Sequence, residues 1–367
     1  MNILVAILIF TVIIVIHELG HFLLAKKNGV FVTEFSVGMG PRLITLAKGE
    51  KGFVFRPFLS QSAFEGLEGC QKVTKYSWKL LPIGGSCMML GEDEVVEDEN
   101  AFHKKSVWAR ISVIFAGPFF NFLLAFLLSL IILSITGHDA PTISSLQEGA
   151  PMQEAGFQVG DEITKIDHSS IQLSREISVF FQFHPLSGEP VEIQYKRDGV
   201  KNTISVVPQI DTDGVYRLGF GFGSDRVKLS PLGVIKYSVI EVKYWIKLTI
   251  ESLGQLIAGK VSKDDIAGPV GIVDMVGGAI QESKSYGITT TVLTILNMCI
   301  LLSANLGVMN LLPIPALDGG RLVFLFLEVL RGKPVAQEKE GFVHLVGLVA
   351  LMLLMAFVMY NDIARLL

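Results

Sequence analysis

The chain is poor in charge and in cysteine. Only 18% of its 367 residues are Asp, Glu, Lys or Arg, and the formal net charge is -4. A charge this close to zero, with no basic run interleaved with aromatic residues, argues against a nucleic-acid-binding surface. The three cysteines, Cys70, Cys87 and Cys299, lack the paired spacing of a zinc knuckle. We therefore predict no nucleic-acid partner and chemically inert thiols.

Apolar sequence is abundant instead. Hydrophobic residues make up 50% of the chain and the mean hydropathy is +0.51, which is too high for a soluble protein of this length. A bilayer core about 30 Å thick is crossed by roughly 20 helical residues. Four segments are apolar over about that length: 2–25, 111–135, 291–312 and 342–360. The sequence thus predicts a polytopic α-helical membrane protein with four transmembrane helices, the first a retained span and not a cleaved signal peptide.

Basic residues beside the spans predict the orientation, because Lys and Arg favour cytoplasmic loops. Lysine pairs at 26–27 and 104–105 lie between the first and second spans, and Arg331 and Lys333 lie between the third and fourth. We expect both loops in the cytoplasm and the long segment from 137 to about 290 outside. The predicted regions are 1–136 with two spans, 137–228 as an outer domain, 229–288 as a membrane-surface region, and 289–367 with the last two spans.

The stretch KLLPIGGSCMMLGEDE, between the first two spans, is apolar but too short to cross a membrane. Pro82 and the glycine pair at 84–85 interrupt its apolar core, residues 80–90, which favours a bent strand or hairpin over a helix. We expect a re-entrant or interfacial β-hairpin, whose main chain at membrane depth must be satisfied by protein or water. An ordinary cytosolic hairpin is the alternative.

The outer segment contains alternating strand-like runs from about residue 138 to 222. Its stretch EGAPMQEAGFQVGDEITKID, residues 148–167, resembles the PDZ peptide-binding module, which captures peptides by adding a strand to a sheet edge. Another small α/β domain is the alternative. Farther on, apolar residues recur at three- and four-residue spacing from Ile235 to Leu256. They predict an amphipathic helix, either on the outer membrane surface or in the core of the outer domain.

The first span contains the sequence HELGH. His17 and His21 are four residues apart, so on a helix they project from one face and can hold one zinc ion through neutral imidazoles. Glu18 beside them is the expected general base, which deprotonates the attacking water. Ionisable residues in hydrocarbon cost about 2.5 kcal/mol each or more and therefore indicate a functional site. By the helix rise, His17 lies about 13 Å from Lys26, inside the bilayer but nearer the cytoplasmic face.

A catalytic zinc takes a third protein ligand and leaves one position for water. The best candidate is Asp318 in NLLPIPALDGG, residues 310–320, where two prolines prevent a regular helix and a glycine pair lets the chain turn tightly beside a metal. A simple N-cap of the following apolar helix would explain an aspartate there, but not the proline pair or the preceding Asn310. The other five histidines lack such a context, and for His344, which lies in a span, we expect a packing role.

Several motifs occur in order along the chain: HELGH at 17–21, FSVGMGP at 35–41, LLPIGG at 80–85, FAGPFFN at 115–121, the PDZ-like stretch, GPVGI at 268–272 and NLLPIPALDGG at 310–320. In these motifs the sequence resembles the bacterial branch of the site-2 protease family of intramembrane zinc metalloproteases, over nearly its whole length. The resemblance implies Zn2+ as the cofactor, held by His17, His21 and Asp318, with Glu18 as the catalytic base.

The same resemblance implies how substrate is bound. Asn310 matches an asparagine that holds the substrate main chain, and the loop at 84–91 matches a membrane-associated β-hairpin that pairs with the unwound substrate. The residues assigned to that contact are Gly84, Gly85, Met88, Met89 and Leu90. The family's substrates are single-span membrane proteins, often anti-sigma factors already cut outside by another protease, or remnant signal peptides. The protein is then a multi-pass enzyme of the bacterial cytoplasmic membrane, with an outer PDZ-like domain as size filter or peptide sensor.

Two stretches depart from the family pattern. Residues 52–72 resemble an insertion, and the hairpin reads GGSCMML where an aromatic residue more often follows the glycines and a lysine more often precedes the methionine. A membrane-bound PDZ adaptor without proteolytic activity is the alternative function, but a structural zinc needs no base such as Glu18. A second alternative is a zinc peptidase acting on lipidated C-termini. Such an enzyme would have a further glutamate ligand downstream on a helix, and this function does not explain why prolines precede the LDG sequence at 317–319.

Overall fold

A computed structural model describes residues 2–49, 52–58, 73–92, 94–223, 226–261 and 267–366. The chain divides into two compact units, which we call the membrane unit (1–128 and 261–367) and the inserted unit (129–260). The helices are, in chain order, α1 (Asn2–Lys27), α2 (Val107–Thr136), α3 (Pro151–Glu154), α4 (Ser174–Phe183), α5 (Pro231–Ile257), α6 (Pro269–Lys284), α7 (Ile288–Asn310), α8 (Asp318–Arg331) and α9 (Gln337–Leu366).

The strands follow the same division. The membrane unit contains β1 (Val32–Gly49), β2 (Gly52–Pro57) and β3 (Lys75–Met89). The inserted unit contains β4 (His138–Asp139), β5 (Ile143–Leu146), β6 (Glu162–Ile166), β7 (Ser169–Ser170), β8 (Val191–Arg197), β9 (Val200–Val206), β10 (Gln209–Ile210), β11 (Tyr216–Arg217), β12 (Phe220–Phe222) and β13 (Arg226–Val227).

Four of the described helices are long and apolar enough to cross a membrane: Ile3–Lys27, Val107–Thr136, Ile288–Asn310 and Glu338–Ala364. They correspond one to one with the predicted spans. The prediction of a polytopic α-helical protein with four candidate membrane helices is therefore confirmed. The third helix ends at Asn310, two residues earlier than predicted, because the chain turns at 311–313 before the proline-containing loop.

Helix α1 lies in the core of the membrane unit. Ala6, Ile9 and Ile13 on this helix pack against α6, through Val276 and Ile280. The predicted membrane-surface region 229–288 is thus divided between the two units, since α5 belongs to the inserted unit and α6 to the membrane unit. Sequence periodicity did not separate these helices, because both carry apolar and polar residues.

The GPVGI motif begins α6, and its helix start is capped from a distant part of the chain. The carboxylate of Asp362, which is 1% exposed, accepts hydrogen bonds from the N–H of Gly268 (3.0 Å) and of Gly271 (2.8 Å). A carboxylate at this place satisfies amides that have no partner within the helix and complements the helix dipole. The motif therefore ties the end of α9 to the start of α6.

The membrane unit contains one sheet in the order β2-β1-β3. Both long strands bend, β1 at Gly38 and Gly40 (φ +88° each) and β3 at Gly84 (φ +83°), a region of φ that glycine enters without strain. Because of these bends, β1 and β3 each contribute two segments to the sheet. With β2 there are five segments side by side, in the order 85–89 (β3), 32–37 (β1), 75–79 (β3), 42–49 (β1) and 52–57 (β2). Of the two predicted forms of residues 80–90, the bent strand is observed. The strand partner of this segment is β1, and its expected re-entrant or interfacial position stays a prediction.

The first residues of the predicted insertion, 52–57, form strand β2 at one edge of this sheet. The rest of that stretch, 59–72, lies outside the described residues. Segment 85–89 lies at the opposite edge of the sheet.

The sheet has apolar side chains on its outer face and polar side chains inside. Tyr76 and Trp78 are 42% and 56% exposed, whereas Ser77 between them is 5% exposed. Glu34, 2% exposed, accepts two hydrogen bonds of 2.7 Å from the guanidinium of Arg42. A sheet of a soluble protein normally buries its apolar face, while a sheet in contact with lipid shows this reversed arrangement.

The inserted unit has a hydrophobic core of its own. Its main sheet has four antiparallel strands in the order β7-β6-β8-β9. The fully buried residues that join this sheet to its helices include Met152, Ile163, Ile166, Ile177 and Ile193. The sequence prediction of a small α/β domain in this region agrees with this architecture.

Within the inserted unit, helix α5 packs against the start of α4 through one face. Ile240 and Tyr244 are buried with Leu173, which immediately precedes α4. The apolar positions that predicted an amphipathic helix include Ile235 and Val239, which are 50% and 56% exposed. One face of the helix therefore packs in a core, as expected of a helix in the core of the outer domain. Another face carries exposed apolar residues, as expected of a helix on the membrane surface.

Candidate metal centre

The HELGH motif lies within α1. Its four-residue spacing brings Nε2 of His17 to 3.2 Å from Nε2 of His21. Each histidine is 6% exposed, and the two rings are nearly perpendicular, at 84°. Both Nε2 atoms thus converge on one point inside the membrane unit.

Asp318, the first residue of α8, reaches the same point. Its Oδ2 lies 3.1 Å from His17 Nε2 and 3.5 Å from His21 Nε2, and its side chain is 17% exposed. Within the described ranges, these three residues form the one group of His, Cys, Asp or Glu side chains arranged to share a metal ion.

The separations of the three ligand atoms fit a single zinc ion. Ligand atoms about 2.0–2.1 Å from a tetrahedral zinc lie about 3.3–3.4 Å from each other, and the observed separations are 3.1, 3.2 and 3.5 Å. Beyond the two imidazole nitrogens, Asp318 Oδ2 has no hydrogen-bond partner among the described residues. Two imidazoles and one carboxylate leave a fourth position open, as catalytic zinc sites do.

The far side of each imidazole contacts α2. Nδ1 of His21 lies 2.9 Å from the carbonyl oxygen of Val113, to which it donates a hydrogen bond. Nδ1 of His17 lies 3.2 Å from the side-chain amide of Asn121. A proton on Nδ1 leaves the lone pair of Nε2 available for a metal, and metal-binding histidines are commonly oriented in this way.

Two glycines allow α1 and α2 to approach this closely. A Cβ at Gly20 would lie 2.4 Å from the carbonyl oxygen of Ala116. A Cβ at Gly117 would lie 2.3 Å from His21 Nε2 and 2.7 Å from His17 Cε1. Small residues permit such close approach of helices in membranes, and Gly117 leaves the space that the two imidazoles fill.

The loop before Asp318 is held by α9. Ala316 has a φ of +74°, which is unusual for a residue with a side chain, and its N–H donates a 2.9 Å hydrogen bond to His344 Nδ1. A Cβ at Gly319 would lie 2.1 Å from the carbonyl oxygen of Leu312. The glycine pair therefore allows the first turn of α8 to pack on its own loop. Neither glycine has a positive φ, so it is the absence of a Cβ, and not a left-handed backbone, that lets the chain pack this closely.

Glu18 is partly exposed and lies against strand β3. A Cβ at Gly85 would be 3.4 Å from Glu18 Cγ and 3.0 Å from the carbonyl oxygen of Ser36. Nearby, burial and then the charge of Glu18 raise the pKa of the Cys87 thiol well above its usual value. This thiol stays protonated, in line with the expected inertness, while Cys70 lies outside the described residues.

The residues predicted to bind substrate differ in their availability. Gly84 and Gly85 lie at the bend of β3, and Met88, which is 45% exposed, lies on its edge segment. Asn310 is the last residue of α7 and is partly exposed at the start of the loop that leads to Asp318. Gly84 is buried, whereas Gly85 is partly exposed, so the assignment of these residues to substrate stays a prediction.

Met89 and Leu90 are engaged within the fold. Met89 is 8% exposed and packs in a cluster with Val32. The N–H of Leu90 donates to the carbonyl of Phe31 (2.9 Å), and its own carbonyl accepts from the N–H of Phe102 (2.7 Å). The main chain of Leu90 cannot also pair with a substrate, which leaves segment 85–88 as the accessible edge.

Sequence reasoning missed the contribution of FAGPFFN. Gly117 and Asn121 are one helical turn apart on α2, and both face the histidine pair. The sequence feature that could have indicated this is Asn121 within a long apolar run. An asparagine in a membrane is costly unless its amide has a hydrogen-bond partner.

Comparison with known proteins shows similarity along the whole chain. The sequence model of peptidase family M50 matches residues 5–65 and 65–354. Zinc metalloprotease RasP of Bacillus licheniformis is 32% identical, with 100% of each chain covered. The regulator of sigma-W protease RasP of Bacillus subtilis is 30% identical over 98% of this chain and 97% of its own. A solved PDZ domain of an SdrC-like protein of Listeria innocua covers 25% of this chain and 100% of its own, at 27% identity and a TM-score of 0.21.

We expect Gly117→Ala to lower zinc affinity at least about tenfold, because the added methyl group displaces the imidazoles from their common point. Gly278→Ala is the matched control, since a Cβ at this helical glycine of α6 meets no atom within 4 Å. Zinc affinity is measured by competition with a chromophoric chelator in detergent. Unchanged affinity in a folded Gly117→Ala protein would show that zinc does not bind between these histidines.

Proposed function

Since the chain belongs to peptidase family M50, the site-2 protease family of zinc metalloproteases, we propose that His17, His21 and Asp318 bind its zinc and that Glu18 is its catalytic base. The main support for this proposal is that the ligand atoms of the three residues, two on α1 and one at the start of α8, lie within 3.5 Å of each other. The adaptor alternative is set aside, because the chain is a metalloprotease by family and retains the glutamate that hydrolysis needs.

The zinc ligands and Glu18 have different roles in peptide hydrolysis. Bound zinc supplies a Lewis acid that polarises the scissile carbonyl and lowers the pKa of water. The Glu18 carboxylate takes a proton from the attacking water and passes it to the departing amine as the C–N bond breaks. The hydroxyl of that water stays on the carbonyl carbon. Glu18 suits this role because it follows His17 directly on α1 and its Cγ lies 3.4 Å from the position of a Cβ at Gly85, at the edge of the sheet.

We propose that the substrates are transmembrane segments of single-span proteins. The histidine ligands lie within a candidate span, nine residues before Lys26, which is about 13 Å of helix. The bond to be cut would thus lie within the bilayer, toward the end of α1 that carries the lysine pair. A relative is named as a regulator of sigma-W protease, which favours anti-sigma factors already cut outside as substrates, with remnant signal peptides as a second group.

A helical substrate must unwind before it can be cut, because its carbonyls are hydrogen-bonded to amides four residues on. Unpaired main-chain groups in lipid cost several kcal/mol each, so the enzyme must supply new partners. Segment 85–88 of β3 has a strand partner on one side only among the described strands. We propose that the substrate adds to this edge as a further strand, with Asn310 holding its main chain from the other side.

The sheet itself is proposed to enter the membrane. Its exposed face carries Ile44, Leu46, Tyr76, Trp78 and Leu80, all at least 38% exposed. Except at its two edges, its main-chain groups are paired with neighbouring segments, and the polar side chain of Glu34 is buried and bound by Arg42. Such a sheet meets the requirement that main-chain N–H and C=O groups at membrane depth have hydrogen-bond partners within the protein.

We further propose that the inserted unit is a PDZ-like domain outside the bacterial cytoplasmic membrane, where it filters or senses substrates. Basic residues at 26–27, 104–105, Arg331 and Lys333 favour the cytoplasm for the loops that contain them.

Cysteine labelling tests this orientation. A cysteine at Asp198 should react from outside only and one at Lys104 from the cytoplasm only, whereas the reverse pattern would overturn it.

We expect Glu18→Gln to retain zinc but to slow cleavage by about 10²–10⁴-fold, because the amide cannot accept the proton of water. Cleavage is followed by co-expressing the full chain with tagged single-span proteins, including an anti-sigma factor trimmed to its pre-cut form and a signal peptide. Glu94→Gln, at an exposed position, is the control. Cleavage by Glu18→Gln at the rate of the unaltered chain would remove Glu18 from the mechanism.

We expect Asn310→Ala to keep its zinc and lose most cleavage of a helical substrate, because one partner for the unwound main chain is gone. The loss should be smaller for a substrate whose span contains helix-breaking residues, since less unwinding is then required. Asn297→Ala is the matched control, an asparagine of the same helix whose amide donates to the carbonyl of Leu293. Equal loss in the two variants, or no loss in either, would contradict the proposed role of Asn310.

A further inference from the structure

We propose that Asn121 positions His17 for zinc binding by accepting a hydrogen bond from its Nδ1–H. This inference rests on the proposed ligation of zinc by His17 and adds a residue that contacts the ligand and not the metal. Asn121 is 0% exposed, and in the structure Nδ2 of its side-chain amide lies 3.2 Å from His17 Nδ1. No other described side chain is recorded within hydrogen-bonding distance of that nitrogen.

The chemistry of zinc binding decides which amide atom faces His17. A neutral imidazole that binds metal through Nε2 carries its proton on Nδ1, which must then donate. The oxygen of an asparagine amide can accept this bond, whereas its NH2 group cannot. A half-turn about the last side-chain bond exchanges the two nearly isosteric atoms. In the structure Asn121 Oδ1 is buried without a partner among the described residues, so the exchange supplies the partner that this oxygen lacks.

Asn121 is itself held in place by a third helix. Ser303 of α7, 0% exposed, donates a 2.8 Å hydrogen bond to the main-chain carbonyl of Asn121. The next residue, Phe122, packs so closely on Gly307 that a Cβ there would lie 2.7 Å from its ring. The orientation of His17 is thereby linked to α2 and α7, and does not depend on α1 alone.

The residue type supports a positioning role over a packing role. A buried amide between apolar helices is costly, and leucine fills a similar volume without that cost. His21 already shows the same arrangement, with its Nδ1 donating to the Val113 carbonyl. Partners of this kind fix the tautomer and orientation of metal-binding histidines, and their removal commonly lowers metal affinity 10–100-fold.

The test compares Asn121→Leu with Asn121→Asp in the full-length protein. We expect the leucine variant to bind zinc about 10–100-fold more weakly. The aspartate variant should bind about as tightly as the unaltered chain, because a carboxylate still accepts the bond from Nδ1. Affinity is measured by chelator competition, and the absorption spectrum of bound Co2+ reports ligand geometry independently of activity. Asn297→Leu, on α7, is the matched control and should change neither quantity.

Two outcomes would overturn the proposal: zinc affinity unchanged in Asn121→Leu, or affinity lost equally in the leucine and aspartate variants, which would indicate a packing role. Thermal unfolding identifies any variant that does not fold, and Asn121→Ala then replaces it. His17→Ala separates this proposal from the site on which it rests. If His17→Ala also keeps full affinity, the ligand assignment fails. If only Asn121→Leu keeps it, the ligand assignment stands and the positioning role fails.

Discussion

A polar group inside an apolar helix bundle must have a partner, and the centre of the membrane unit is built around that constraint. His17, His21 and Asp318 place three ligand atoms within 3.5 Å of one another. Such a cluster is costly in hydrocarbon unless a metal ion and further hydrogen bonds satisfy it. The Val113 carbonyl and the Asn121 amide supply those bonds from α2. The site therefore depends on the contact between α1 and α2.

The same constraint would apply to the proposed substrate, a transmembrane segment. Hydrolysis needs an extended main chain, and lipid offers such a chain no hydrogen bonds. The bent strands β1 and β3 carry a sheet edge to Gly85, where the absence of a side chain allows close contact with Glu18. The proposed ligands His17 and His21, the proposed base Glu18 and the sheet edge at Gly85 thus meet at α1. The polar interior of the sheet, with Glu34 bound by Arg42, keeps this edge in place without polar groups facing outward.

The features that sequence predicted are local ones. The four candidate spans follow from length and hydropathy, and the histidine pair follows from i, i+4 spacing on one helix. Other features depend on contacts between distant segments. The pairing of β1 on both of its sides was missed, because its polar face is buried and its apolar face exposed, the reverse of the usual pattern. Asn121 was missed because its role exists only where α2 meets His17. The family resemblance gave the motif that contains Asn121, but no physical reason for it.

X-ray absorption at the zinc edge of the purified, detergent-solubilised protein tests the central claim most directly, because it reports the atoms around the ion itself. We expect about one zinc per chain, surrounded by nitrogen and oxygen atoms at about 2.0–2.1 Å and with two imidazole signatures. We also expect the oxygen contribution to change in Asp318→Ala. Sulfur at about 2.3 Å, or a spectrum unaltered by removal of His17 or Asp318, would contradict the account.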